Sequence, residues 1–236
     1  MLVTNYITSA WRNILRHKLF SIINILGLAI GLAAVMLIAL YVRYETGYDS
    51  FWKNADNIYR MKMTMTMPGR DPVNAAVAPL LAAPILKNDF PEVIHAARAF
   101  PIAATFTKDN NTIREDIKFV DPEIINIFEF DVLAGNLEEA LNDNRSLILN
   151  ETMAIKYFGS NNPIGETISL KHYAFEKDYK IGAVVKDISI HSHVEITAMI
   201  GLFESDWVDS PVMFKSWLRP YAETFFTLKS GSDVKI

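Results

Sequence analysis

The chain lacks several of the residue sets on which protein chemistry depends. It contains no cysteine, which excludes disulfide bonds and thiolate metal sites. His191 and His193 stand one residue apart, but zinc needs three or four ligands, so a structural or surface role is expected for them. Neither a glycine-rich phosphate loop nor a Gly-x-Ser-x-Gly nucleophile elbow occurs. The sequence therefore predicts no catalytic residue, no metal ion and no cofactor, and it assigns any ATP hydrolysis to another chain.

A basic surface is also missing. Residues 1–42 contain three basic side chains and no acidic one, so the remaining 194 residues carry 20 basic and 27 acidic side chains, a net charge of −7. An acidic surface repels phosphate groups, which argues against binding to nucleic acid and against docking of this region onto anionic lipid. No nucleic-acid partner is expected.

One long apolar run is present, and it extends without a charge from Leu19 to Val42. Its 24 residues would form a helix of roughly 36 Å, against a hydrocarbon layer of roughly 30 Å. A soluble core helix would show a polar stripe, and a signal peptide has a shorter apolar region followed by a small-x-small cleavage site. The pattern favours an uncleaved transmembrane helix over residues 19–42, and no second run of this kind follows.

Residues 1–18 predict a basic amphipathic helix directly before this span. Apolar residues recur in pairs on one helical face, and polar and basic residues lie on the other. Trp11, Arg12, Arg16 and Lys18 are the residues expected at the membrane interface, on the cytoplasmic leaflet of the lipid. Burial of the apolar face against a partner protein stays an alternative. Because basic residues mark the cytoplasmic side, residues 43–236 are expected outside the cytoplasm.

Small residues within the span indicate helix packing. Gly27 and Gly31 form a GxxxG pattern, and Asn24 lies one turn earlier, close to the same face. Small residues at this spacing let a second helix approach closely, and an amide side chain can form a hydrogen bond between helices in lipid. We expect Asn24, Gly27 and Gly31 to form a packing face within the membrane.

Residues 43–236 predict a mixed α+β domain with largely antiparallel sheets, because strands and helices alternate without a regular βαβ order. Strict alternation predicts one half-buried strand over 58–67, whose methionines face the core. A helix is expected to begin at Pro79, with a kink at Pro84. Asn150 is expected to cap a helix over 151–158 that ends at Gly159.

The chain resembles a known family in a series of motifs that occur in the same order. The basic segment and the glycine-containing span are similar to the first helix of MacB-type, FtsX-like permease subunits of ABC transporters. Later motifs resemble the extracytoplasmic core domain of that family: YETGYDSFWKNADNIYRM, NDFPEV, VDPEIINIFEFDVLAGNLEEAL, NETMAIKYFGSNNPIGETI and YKIGAVVKDISIHSHVEI. The resemblance covers nearly the whole chain.

This resemblance implies a permease subunit in the bacterial inner membrane. Such subunits have four spans and a two-lobed outer domain, pair as homodimers or heterodimers, and work with a separate ABC ATPase subunit. They pass ATP-driven motion to the outer domain, for export or for lipoprotein or antimicrobial efflux, and a periplasmic adaptor is a further expected partner. Only the first span and the core domain are present here, so we expect a fragment or truncated product with a C-terminally incomplete domain over 43–236.

Two other functions remain open at this stage. The first is a single-span, membrane-anchored sensory or binding protein whose outer domain captures a ligand. The second is an anchored extracytoplasmic enzyme, for which the sequence offers no catalytic constellation. A neighbouring ATPase gene, or a reading frame that continues into three more apolar segments, would favour the permease.

Overall fold

The computed structural model describes residues 2–109, 111–160, 162–172, 175–207 and 212–232. The chain divides into two compact units, Met1–Tyr48 and Asp49–Ile236.

The first unit consists of two helices, α1 (Leu2–Arg16) and α2 (Lys18–Thr46). They are separated at His17, whose backbone (φ −116°, ψ 54°) is not helical. No proline interrupts either helix, since the first proline of the chain is Pro68. None of the residues of α2 is buried within the chain. By length and composition, α2 is the one helix in the described part of the chain that could cross a membrane.

The second unit contains twelve strands and four α-helices among its described residues. The strands are β1 (Ile58–Arg60), β2 (Met63–Met65), β3 (Val73–Ala75), β4 (Ala78–Pro79), β5 (Val93–Lys108), β6 (Asn111–Val120), β7 (Val132–Gly135), β8 (Ser146–Asn150), β9 (Thr167–His172), β10 (Phe175–Val185), β11 (Ala198–Gly201) and β12 (Pro220–Leu228). The helices are α3 (Ala82–Asp89), α4 (Leu137–Leu141), α5 (Glu151–Phe158) and α6 (Val212–Lys215).

Most strands join one ten-stranded sheet in the order β1-β12-β5-β6-β11-β8-β10-β7. Strand β4 pairs with β12, strand β9 pairs with both β10 and β5, and β2 and β3 form a separate two-stranded sheet. The ladders β8–β10 and β6–β11 are parallel, and the other strand pairs of the described residues are antiparallel. This confirms the predicted α+β class, with an N-terminal apolar helix before a mixed, largely antiparallel domain.

The large sheet buries side chains on both faces. Successive side chains of a strand point to opposite faces, and β5 sends Phe100 and Phe106 into one hydrophobic cluster and Ala97 and Ala99 into another. Strand β8 is buried along its whole length, as expected for a strand covered on both sides. Helix α5 contributes to the first cluster and helix α4 to the second.

Helix α5 has the bounds and the caps that the sequence predicts. The side chain of Asn150 accepts a hydrogen bond from the backbone N–H of Met153 at 2.9 Å. Gly159 ends the helix in the left-handed region, with φ 64°. Both features follow from local chemistry, because a side-chain amide satisfies a free N–H of the first turn and glycine adopts positive φ without steric cost.

Two other local predictions are wrong. The alternating run 58–67 forms two short strands, because β1 pairs with β12 whereas β2 pairs with β3. Pro79 lies in strand β4, and α3 begins three residues later at Ala82. Pro84 therefore falls in the first turn of α3, where no intrahelical partner for its missing N–H is required and no kink is needed.

Candidate functional site

The first polar cluster of the second unit is built around Asp49, the residue with which this unit begins. Its carboxylate accepts hydrogen bonds from the hydroxyl of Ser192 at 2.6 Å, the backbone N–H of His193 at 3.0 Å and the Nδ1 of His193 at 2.7 Å. Its own N–H donates to the carbonyl oxygen of His191 at 2.9 Å. We call Asp49, Ser192 and His193 the Asp49 clasp. It joins segments that are 144 residues apart.

Residue types of a catalytic triad occur in the clasp, but their geometry differs from that of a triad. In a Ser–His–Asp triad the serine hydroxyl donates to the imidazole, which is held by the aspartate. Here the hydroxyl of Ser192 and the imidazole of His193 both contact the same carboxylate. The hydroxyl of Ser192 therefore donates to the carboxylate and not to the imidazole, and these contacts hold two segments together.

The clasp lies beside a layer of aromatic rings. Ser192 Oγ also accepts a hydrogen bond from the N–H of Val194 at 3.0 Å, and the indole Nε1 of Trp52 lies 3.4 Å from it. The ring of Trp52 is buried, with centroids 4.8 Å from Phe128 and 5.8 Å from Phe130. The aromatic layer holds the start of the second unit against the sheet by burying a large apolar area.

The hydrogen bonds of the clasp change the pKa of Asp49. Partial burial by itself would raise this pKa, because it disfavours the charged form. The hydrogen bonds from Ser192 and His193 stabilise the carboxylate and outweigh that effect. The pKa of Asp49 consequently lies below its ordinary value of 3.8, and the residue is ionised at neutral pH.

A second polar cluster consists of two cations that share one carboxylate. Arg60 Nη2 lies 3.1 Å from Oε1 of Glu223, and Lys118 Nζ lies 2.7 Å from Oε2 of the same residue. The Nε of Arg60 donates to the carbonyl oxygen of Ala76 at 3.0 Å, and its guanidinium lies over the ring of Phe225. We call Arg60, Lys118 and Glu223 the charge triad. Its formal charge is positive, since it contains two cations and one anion.

A cavity of about 320 Å³ extends between the clasp and the charge triad. Asp49 and His193 line one part of it and Arg60 another, and apolar side chains form most of the remaining wall. The full lining consists of Asp49, Trp52, Ala55, Ile58, Arg60, Ala76, Phe128, His193, Val194 and Phe225. A concave, mostly apolar surface with a few converging polar groups is typical of small-molecule sites. This cavity is therefore the candidate functional site.

Another concave surface, next to strand β5, has a different character. Arg98 forms a bidentate ion pair with Asp121, with 2.8 and 2.9 Å contacts, and donates to the carbonyl oxygen of Leu80 at 3.1 Å. Beside it, Lys87 forms an ion pair with Glu123. Because these charges pair with one another, this surface stabilises the junction of α3, β5 and β6 and has no comparable charge in excess.

The residues that sequence reasoning singled out lie in the first unit. Trp11, Arg12 and Arg16 are exposed on α1, and Lys18 is the first residue of α2. Asn24, Gly27 and Gly31 are exposed on α2, and a Cβ atom added at either glycine would meet nothing within 4 Å. These positions are open to packing by another molecule, so both assignments remain predictions.

The cavity residues were missed by sequence reasoning. Arg60 stands in the alternating run 58–67, on the side opposite the methionines, and the alternation alone indicates no partner for it. Its partner Glu223 lies near the end of the chain, and Glu223 is 105 residues away from Lys118. No local pattern connects residues at such separations, since only the pairing of β1 with β12 brings Arg60 next to Phe225.

Known structures resemble this fold. A domain of a putative permease protein from Porphyromonas gingivalis has a TM-score of 0.62 at 20% sequence identity, with 75% of each chain covered. Two others score lower. They are the periplasmic region of MacB from Actinobacillus actinomycetemcomitans (TM-score 0.47, 12% identity, 66% of this chain and 67% of that chain) and the extracellular domain of the noncanonic ABC-type transporter YknZ from Gram-positive bacteria (0.48, 14%, 74% and 85%). At these identities the first similarity shows a shared fold, and the other two are too weak to support an argument. No curated protein matches the chain at a significant level.

The described part of the chain combines one apolar helix that could cross a membrane with a sheet-rich domain that follows it. A family described as the MacB-like periplasmic core domain matches residues 21–235, which include most of α2 and nearly all of the second unit. The chain belongs to this family, whose members are components of ABC transporter permeases. The resemblance seen in the sequence motifs is confirmed.

The Asp49 clasp yields a pH-dependent prediction. Asp49→Asn removes the charge but keeps a residue type that tolerates the positive φ of 57° at this position. At pH 7 we expect the free energy of unfolding to fall by about 1 kcal/mol, because the amide cannot accept all three hydrogen bonds. The measurement is urea unfolding of the full chain in detergent, followed by tryptophan fluorescence.

The sign of the pH dependence follows from the lowered pKa. A depressed carboxyl pKa contributes stability above the unfolded-state value of 3.8, and this contribution disappears as the pH falls through the lower folded-state value. The difference between wild type and variant should therefore narrow below about pH 3.8. Asp71→Asn, in an exposed loop, is the matched control and should change stability little. A constant difference at all pH values would contradict the assignment of charge to the clasp.

Proposed function

We propose that the protein is the N-terminal portion of a permease subunit of an ABC transporter. In this proposal α2 crosses the inner membrane once, and a separate ABC ATPase subunit hydrolyses ATP on the cytoplasmic side. The resulting motion reaches the periplasmic domain and drives export, or efflux of lipoproteins or antimicrobial compounds. The observation that carries the proposal is the family match over 21–235, because it includes the apolar helix together with the domain that follows it.

The connection between helix and domain supports the transmission of motion. Helix α2 ends at Thr46, and only Gly47 and Tyr48 precede Asp49, which the clasp holds with three hydrogen bonds. A connection of two residues has little slack, since each residue spans at most about 3.6 Å. We therefore expect a displacement of the end of α2 along its axis to move the segment 191–194 by nearly the same distance.

The exposed side chains of helix α1 support the proposal that this helix lies at the cytoplasmic surface of the membrane. Its apolar side chains Tyr6, Ile7 and Trp11 are 75, 65 and 63% exposed within the chain. An uncovered apolar face beside Arg12, Arg16 and Lys18 fits a helix that lies in the lipid interface, where basic side chains contact anionic headgroups. In this arrangement the N-terminus is cytoplasmic and membrane lipid is a direct partner.

The absence of cysteine allows this topology to be tested by single-cysteine labelling. Ser9→Cys and Ser230→Cys place one thiol on α1 and one at an exposed position after β12. We expect a membrane-impermeant maleimide to label Ser230→Cys in spheroplasts, and to label Ser9→Cys only after the membrane is permeabilised. Wild type is the control for background. Equal labelling of both variants before permeabilisation would contradict the proposed orientation.

The coupling to ATP hydrolysis needs its own test. The gene should be expressed with its native flanking sequence, and an affinity tag on the chain should be used to purify the complex in mild detergent. We expect an ABC ATPase, identified by its phosphate-loop peptide, to co-purify with the chain in a fixed ratio. Absence of an ATPase from the purified complex, with the tagged protein intact, would contradict the permease role.

The proposal also includes pairing of permease subunits through α2, as a homodimer or heterodimer. Gly27 and Gly31 lie one helical turn apart, with Asn24 close to the same face, and the described chain places no atom within 4 Å of a Cβ at either glycine. In lipid, small residues at this spacing favour close approach of two helices, and an asparagine adds an interhelical hydrogen bond. A periplasmic adaptor remains a further expected partner.

Crosslinking in membranes tests this packing face. With Ala34→Cys as reporter on the same face, Gly27→Ile combined with Gly31→Ile should reduce disulfide-linked dimer several-fold, because the added bulk separates the two backbones. Ala29→Ile combined with Ala33→Ile makes a matched change at the same spacing on the opposite face. We expect this control to leave crosslinking unchanged. Equal effects of the two double variants would reject Asn24, Gly27 and Gly31 as the contact.

The cavity favours one alternative function, a single-span membrane-anchored binding or sensory protein. A ligand site in the outer domain would serve such a protein without any ATPase. The co-purification experiment distinguishes the permease from the binding or sensory protein, because only the permease requires a stable complex with an ATPase. The DNA that follows codon 236 provides a second criterion, since three further apolar segments would indicate the permease.

A further inference from the structure

We propose that the cavity between the Asp49 clasp and the charge triad binds a small molecule that has an apolar body and one carboxylate. This inference concerns a site within the second unit and does not depend on the transporter role. The volume of about 320 Å³ falls at the lower end of the range for small-molecule sites. It equals the liquid volume of about ten water molecules.

The walls of the cavity are apolar and largely fixed. Trp52, Phe128 and Phe225 are 7, 2 and 3% exposed, and their rings pack on one another, with Phe128 5.0 Å from Phe225 and 4.8 Å from Trp52. Side chains held by such contacts do not need to reorganise when a ligand enters, which lowers the cost of binding. An apolar ligand body gains free energy by the removal of its surface, and that of the rings, from water.

The charge triad determines the charge of the ligand. In the described part of the chain, Arg60 and Lys118 both form their ion pair with the same carboxylate, that of Glu223. The charge triad therefore carries one positive charge in excess. All three side chains are more than two-thirds buried, at 28, 11 and 15% exposure for Arg60, Lys118 and Glu223. Of these, Arg60 lines the cavity. A partly buried cation in excess is stabilised by an additional anion, and a carboxylate matches the geometry of a guanidinium.

Arg60 has hydrogen-bonding capacity for this role. A guanidinium carries five N–H donors, and the contacts with Ala76 and Glu223 use Nε and one donor of Nη2. These contacts, together with the ring of Phe225 below the guanidinium, hold it in one orientation. A ligand carboxylate would therefore meet a pre-oriented donor group rather than a mobile side chain.

The Asp49 clasp does not favour a cationic ligand, although it places a carboxylate at the cavity. That carboxylate already accepts three hydrogen bonds from Ser192 and His193, which stabilise its charge within the protein. Its negative charge instead repels an anionic group from that part of the cavity. The two polar clusters thus orient the ligand in the same sense, with the carboxylate at Arg60 and the apolar body against Trp52 and Phe128.

A matched pair of probes tests the charge preference. The full chain in phosphatidylcholine nanodiscs is titrated with 3-phenylpropionate and, separately, with 3-phenylpropan-1-amine, and binding is measured by calorimetry with empty nanodiscs as the blank. The two probes share one apolar body and differ in charge. We expect the carboxylate to bind at least tenfold more tightly than the amine. Equal affinity, tighter binding of the amine, or no binding of either probe at about 10 mM would overturn the proposal.

Three variants locate the site. Arg60→Gln should weaken binding of 3-phenylpropionate about tenfold, and Ala76→Leu, at an exposed position of the cavity wall, should abolish it by filling the space. Arg114→Gln, at an exposed position of β6 remote from the lining, is the matched control and should bind as wild type does. Near-ultraviolet circular dichroism verifies that each variant is folded. Unchanged affinity in folded Ala76→Leu would overturn the proposal, and so would an equal loss in Arg60→Gln and Arg114→Gln.

Discussion

The architecture of the domain depends on the pairing of strand β5, which is 16 residues long and uses both of its edges. One edge pairs with β6, and the other edge is divided between β12 at the start of β5 and β9 near its end. Because its side chains alternate, β5 supplies apolar residues to both hydrophobic clusters. Strand β5 positions the elements of the candidate site, because it pairs with both β12 and β6. Strand β12 carries Phe225 and Glu223, and strand β6 carries Lys118.

The polar groups of the domain divide into those that hold the fold together and those with an excess charge. The Asp49 clasp and the Arg98–Asp121 pair satisfy their charges within the protein, and each connects segments distant in sequence. The charge triad differs, because two cations contact one carboxylate. Partial burial of an unpaired charge costs free energy, because the charge loses contact with water. Partly buried groups with an excess of charge are therefore candidates for ligand binding. The two polar clusters thus differ in their charge balance, although both contribute side chains to the lining of one cavity.

Sequence patterns predicted the features that depend on neighbouring residues. The uninterrupted apolar run produced helix α2, and the Asn150 and Gly159 caps defined α5, because hydrophobicity and capping act within a few residues. The alternating run 58–67 was misjudged for the opposite reason. Its period indicated a strand, but whether it forms one strand or two depends on the partners β12 and β3, which lie elsewhere in the chain. The prediction that a helix begins at Pro79 was wrong for the same reason, because Pro79 pairs with Pro220 and so lies in a strand.

By itself, the sequence determined the apolar helix, the α+β class, the acidic character of the larger unit and the family to which the chain belongs. Each of these follows from composition, from periodicity, or from motifs in a fixed order. The tertiary structure alone decided the candidate site. Arg60, Lys118 and Glu223 come together only when β1 and β12 pair and β5 and β6 place Lys118 beside them, and Asp49 meets His193 across 144 residues. Charges so distant along the chain carry no local signal, because their interaction energy depends on a separation in space that the fold creates.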